Sequence, residues 1–163
     1  MRLMSRSALP LSMDTSTDQY PKSVRERRYE YKKISARLDN HPGLLRVFHR
    51  DICAMNGTSD SGRDSEFTSE NILRVMIVML RERKSLRESV AMIGNSHVLQ
   101  DFARLGNRTV MSASFLDRCF HAVKPETWKE MNDILCLSAQ NEEGIEPSQI
   151  RVDSSVVEAD IHY

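Results

Sequence analysis

Side chains able to bind metals or phosphates in a recognisable pattern sit mainly at the two ends of the chain. Residues 147–163 read P-S-Q-I-R-V-D-S-S-V-V-E-A-D-I-H-Y, with β-branched residues in alternation. On a strand, Ile150, Val152, Ser154 and Val156 share one face, and Arg151, Asp153, Ser155 and Val157 share the other. A carboxylate on so apolar a strand is costly to bury unless a cation or several donors hold it. That makes Asp153 a candidate metal ligand. Two further pairs have ligand chemistry, Asp160 with His162 and His49 with Cys53. A histidine near a terminus is usually solvated, and a structural zinc site normally needs four ligands. Neither pair makes a site by spacing alone.

At the front of the chain the chemistry is electrostatic. From Lys22 to Arg37, seven basic residues against Glu26 and Glu30 leave +5. The simpler account is a solvated helix face. The sharper one is a helix whose Arg25, Arg27, Arg28, Lys32 and Lys33 contact phosphates, positioning the protein on a duplex without reading its sequence. From Ser138 to Tyr163, six acids against Arg151 leave −5. A basic front and an acidic back suggest two functional regions, although the formal net charge of zero gives no global field for nucleic acid.

At 163 residues there is room for one ordinary domain and the beginning of a second. Hydrophobic content of 40% and charged content of 28% fit a soluble globular protein. Cys53, Cys119 and Cys136 are odd in number and lack CxxC spacing, as expected for thiols in a reducing cytosol. The longest apolar run, Val75 to Leu80, is too short to span a bilayer, and the first residues do not read as a signal peptide. The expectation is a cytoplasmic protein with no membrane partner.

Most of the chain that would hold these groups reads as helix. Residues 1–21 have no periodicity and read as a flexible tail. A helix over 22–38 carries Val24, Tyr31, Ile34 and Leu38 on one side. After His41-Pro42-Gly43, the stripe Leu44, Phe48, Ile52 and Met55 marks a second helix, and residues 56–65 form a loop. Thr68 caps a helix running from Ile72 to Leu80 that is apolar almost all round and belongs at the centre of a bundle. Ser85-Leu86-Arg87-Glu88 is a capping box, with Gly94 placed to end the short helix it opens. Asn95 or Ser96 restarts the chain, Gly106 stops it, and Ser112 or Ser114 caps a helix containing Phe115, Leu116, Cys119, Phe120 and Val123. Pro125 opens the last helix and Gly144 follows it. Three of these helices (68–84, 85–94 and 112–123) have lengths that suit a helix-turn-helix, with the exposed Arg118 facing DNA. The same pattern is also that of a plain helical bundle. The C-terminal stretch has its own alternative, since Ser155-Val156-Val157-Glu158 is formally a capping box and 153–163 then a short terminal helix.

The segment R-V-D-S-S-V-V-E-A-D-I-H-Y resembles the start of the catalytic domain of insertion-sequence DDE-class transposases, closest to the ISNCY-like group. Upstream, S-L-R-E-S-V at 85–90, F-A-R-L-G at 102–106, S-A-S-F-L at 112–116 and P-E-T-W at 125–128 are similar, in order, to that family's N-terminal helical domain. The resemblance implies a helical domain over 22–145 that binds terminal inverted repeats and helps to dimerise the enzyme. It also implies a truncated ribonuclease-H-like α/β domain, of which 146–163 holds the first strand. Asp153 matches the first catalytic aspartate, which would bind Mg2+ together with a second Asp and a Glu. Two-metal chemistry uses one ion to activate the attacking oxygen and one to stabilise the leaving oxygen. Those further acids are absent from this sequence, so the chain alone is expected to be inactive in strand transfer. The expected partners are terminal-repeat DNA and another copy of the chain or a full-length transposase. A small helical interaction or regulatory module with no DNA role is the alternative.

Overall fold

The computed structural model describes residues 3–5, 20–55, 66–106 and 108–143, with side chains as far as residue 140. Among the described residues all regular structure is helical, in seven helices forming an all-α bundle. They are α1 (Lys22–Asn40), α2 (Pro42–Ala54), α3 (Ser69–Glu82), α4 (Leu86–Gly94), α5 (His97–Phe102), α6 (Ala113–Ala122) and α7 (Pro125–Glu143). The stretch 146–163 read as a strand, its alternative as a helix, the loop 56–65 and Gly144 all lie outside the described residues.

Three of the seven helices, α3, α4 and α6, start at a side-chain cap that the sequence signals. The Thr68 hydroxyl accepts from the Asn71 N–H, and the Asn71 side chain accepts from the Thr68 N–H, a reciprocal cap that satisfies donors a buried helix end would otherwise orphan. Ser85 and Glu88 do the same for α4, and Ser112 accepts from the Phe115 N–H at the start of α6. Two helix ends are less expected. α3 and α5 both close through an arginine in the left-handed region, Arg83 at φ 50° and Arg104 at φ 54°. In each case that arginine and the residue after it donate N–H bonds back into the last turn. Glycine usually holds this position because it lacks the Cβ that crowds a left-handed backbone. Gly106, at φ 61°, lies beyond the end of α5 rather than terminating it.

α3 is the hub. From Ser69 to Met76 every residue is buried, and α3 packs against α2, α4 and α6. Its first two N–H groups need acceptors that the helix cannot supply. Within the segment read as a tail, the carbonyls of Leu3 and Met4 accept from Ser69 and Glu70 at 3.1 and 3.0 Å. α2 lies between α3 and α7 and is fixed to α7 at both ends. The buried Asp51 accepts from the Lys124 N–H at 2.9 Å and the Thr127 hydroxyl at 2.6 Å, a carboxylate set at the positive end of α7. At the other end, His41 Nε2 meets Ser138 Oγ at 2.8 Å. Burial works against the Asp51 charge, but the two hydrogen bonds and the nearby Lys124 and Arg50 cations outweigh it and hold the carboxyl below its ordinary range.

Candidate nucleic-acid interface

α1 has an inner and an outer side, and the division decides which cations face outward. Tyr31 is fully buried, with its ring 4.7 Å from that of Phe102 and its hydroxyl donating to Glu82 at 2.7 Å. One turn earlier Arg27 reaches the same Glu82 at 2.8 Å, and Arg81 pairs with Glu30. Burial raises the cost of the Glu82 charge. The Tyr31 hydroxyl and the Arg27 guanidinium more than offset it, so the carboxyl titrates below its ordinary range. Burial, followed by that bond to Glu82, pushes the Tyr31 phenol far up.

The other end of α1 is held by a second charge cluster. Arg74, in the middle of α3, is 1% exposed. Its Nε donates to Glu70 at 3.0 Å, Nη2 to Asp39 at 2.8 Å, and Nη1 to Ser35 at 2.9 Å and to the Phe102 carbonyl at 3.3 Å. The guanidinium carbon also lies 5.3 Å from the centre of the Phe102 ring, within cation–π range. Arg104 completes the group, reaching Asp39 at 2.7 Å and Glu70 at 2.5 Å. Burial and then the neighbouring Arg104 charge lower the Arg74 pKa. Two cations against two carboxylates leave the cluster neutral, so it fastens α1 to α3 without offering charge to a partner. Sequence reading missed it. The available signal was one arginine inside an otherwise apolar helix, with a glutamate four residues before it.

With its inner side fastened, α1 presents the rest of its cations outward. Lys22, Arg25, Lys32, Lys33 and Arg37 are exposed. Arg28 is stacked 4.4 Å from the Tyr20 ring, and Lys33 lies 4.5 Å from the Tyr29 ring. Arg25, Arg28 and Lys32 follow at i, i+3 and i+7, the spacing of one helix face. Of the six candidate DNA-contacting residues, Arg27 is the one directed into the bundle and committed to Glu82. Arg118 is exposed on α6, above the Phe115 ring at 6.0 Å, while Leu116 and Cys119 hold the opposite side of α6 in the core. Asp153 lies outside the described residues. Among the described residues no group of three or more His, Cys, Asp or Glu side chains is placed to hold a metal ion. No described helix is long and apolar enough to cross a membrane.

No family model matches the chain, and neither the curated proteins nor the solved structures contain a match to it.

Proposed function

We propose that this chain is the N-terminal, DNA-end-binding part of an insertion-sequence DDE-class transposase. The observation that carries the reading is the outward cationic face of α1, whose inner side is fastened by Tyr31, Asp39 and Arg27 so that its cations point away from the bundle. The ordered resemblance of residues 85–128 to that family's helical domain adds to it. In this reading α3, α4 and α6 form the helix-turn-helix, and Ser114 and Arg118 meet a groove while the α1 cations hold the backbone. Asp153 would supply one carboxylate to a Mg2+ site whose chemistry depends on further acids. Terminal repeats are the DNA partner, with a further copy or a full-length transposase as the protein partner.

The test is fluorescence anisotropy of a short duplex titrated with protein over a range of salt. Each phosphate contact contributes about −0.9 to the slope of log K against log salt. Replacing Arg25, Arg28 and Lys32 with alanine together should weaken binding and flatten that slope by roughly 2–3. An unchanged slope, or no binding at low salt, refutes the reading. A helical interaction module without DNA is the second reading. It is favoured by the zero net charge and by the exposed Leu135 and Leu137 on α7, and capture of a protein partner without nucleic acid would support it.

A further inference from the structure

A different cluster lies where α2 meets the start of α3. Cys53 Sγ is 3.3 Å from His49 Nε2 and 3.7 Å from Nδ1. His49 Nδ1 is in turn 2.8 Å from the hydroxyl of the buried Ser69. A thiol, an imidazole at contact distance and a fixed group that orients the imidazole are the parts of an activated sulfur nucleophile. The sulfur lies beside the ring rather than on the axis of either nitrogen. The imidazole therefore serves as a nearby base, and as a charge partner once it holds the thiol proton, rather than as a linear hydrogen-bond acceptor. Cys53 is partly exposed, so a small reagent can reach it. With no third ligand nearby among the described residues, reactive chemistry suits the pair better than metal binding.

We propose that Cys53 is a redox-modification site, oxidised by hydroperoxides to a sulfenic acid with His49 as its charge partner and Ser69 as the residue that positions His49. The thiol proton passes to His49, directly or through water. The thiolate attacks one peroxide oxygen, so that the S–O bond forms and the O–O bond breaks. The departing oxygen takes the proton from the imidazolium and leaves as water when the oxidant is hydrogen peroxide. Sulfur is oxidised and the peroxide is reduced. The site is independent of DNA binding, since neither α1 nor α6 supplies any of its groups.

The chain carries its own controls, because Cys136 is exposed and Cys119 is buried. The full chain is treated with limiting hydrogen peroxide across neutral pH, trapped with a sulfenate-specific probe, and each cysteine is quantified by peptide mass spectrometry. Cys53 should react on the order of tenfold faster than Cys136 despite its lower exposure, since an imidazole base lies at contact distance from its thiol. In His49→Gln the ratio should fall to about one and the pH profile of Cys53 should come to match that of Cys136. Ser69→Ala should give an intermediate ratio. A wild-type ratio near one, or a ratio unchanged in His49→Gln, overturns the proposal. A rise in Cys119 labelling reports an unfolded variant, in which case the wild-type ratio and Ser69→Ala decide.

Discussion

Replacing Arg74 with methionine tests whether a neutral buried charge cluster fastens α1 to α3. The substitution keeps an unbranched chain as far as the level of Nε and removes four donated hydrogen bonds, to Glu70, Asp39, Ser35 and the Phe102 carbonyl. Breaking a buried ion pair by deleting one partner typically costs about 3–5 kcal/mol. Two features reduce that figure here. Glu70 keeps Arg104 at 2.5 Å, and Asp39 is exposed enough to be rehydrated. The expected loss is therefore roughly 2–3 kcal/mol, a large share of the ~5–15 kcal/mol by which a domain is stable. Urea unfolding followed by circular dichroism should show the midpoint falling by about 1–2 M with an unchanged slope. Combining Arg74→Met with Glu70→Gln should cost less than the sum of the single changes by roughly 1 kcal/mol or more, because the second change removes the carboxylate that the first leaves underpaired. A single-variant midpoint within about 0.3 M of wild type, or strict additivity in the double variant, refutes the role assigned to the cluster.

The Tyr31–Glu82 bond makes stability depend on pH in a definite sense. Because the Glu82 carboxyl is depressed from its ordinary 4.5 in the folded state, its stabilisation is full above that value and is lost as pH falls through the folded one. Tyr31→Phe removes the donated bond, so the stability lost on acidification from neutrality should be smaller in the variant than in wild type. In alkali the sign reverses. The phenol is pushed up from 10.0, so wild type should weaken above that pH while Tyr31→Phe does not share this loss. Parallel stability–pH curves for the two proteins would contradict the assignment. The two left-handed arginines should respond oppositely to glycine. Arg83→Gly should raise stability by about 0.5–1 kcal/mol by relieving a crowded backbone. Arg104→Gly should lower it by roughly 1–2 kcal/mol, because its contacts to Glu70 and Asp39 outweigh the same relief. Thermal unfolding of the two variants separates the cases, and equal shifts of the same sign would refute the distinction.

The helices were legible in the sequence, because the signals that start and stop them are local. Thr68, the Ser85–Glu88 pair, Ser112 and Pro125 act within three residues of the turns they cap, and the run from Ile72 to Met79 carries too little polarity to lie on a surface. It also showed that α1 is rich in cations. Which of those cations face outward depends on tertiary contacts. Arg27 turns inward because Glu82, 55 positions away in the chain, comes within reach only when α1 lies along α3. Arg74 is buried for the same reason, its partners Ser35, Asp39 and the Phe102 carbonyl being 39, 35 and 28 residues distant. A charge buried by such partners looks, in sequence, like a charge in water. Helix caps are short-range and legible; the fate of each arginine depends on long-range partners that meet only on folding.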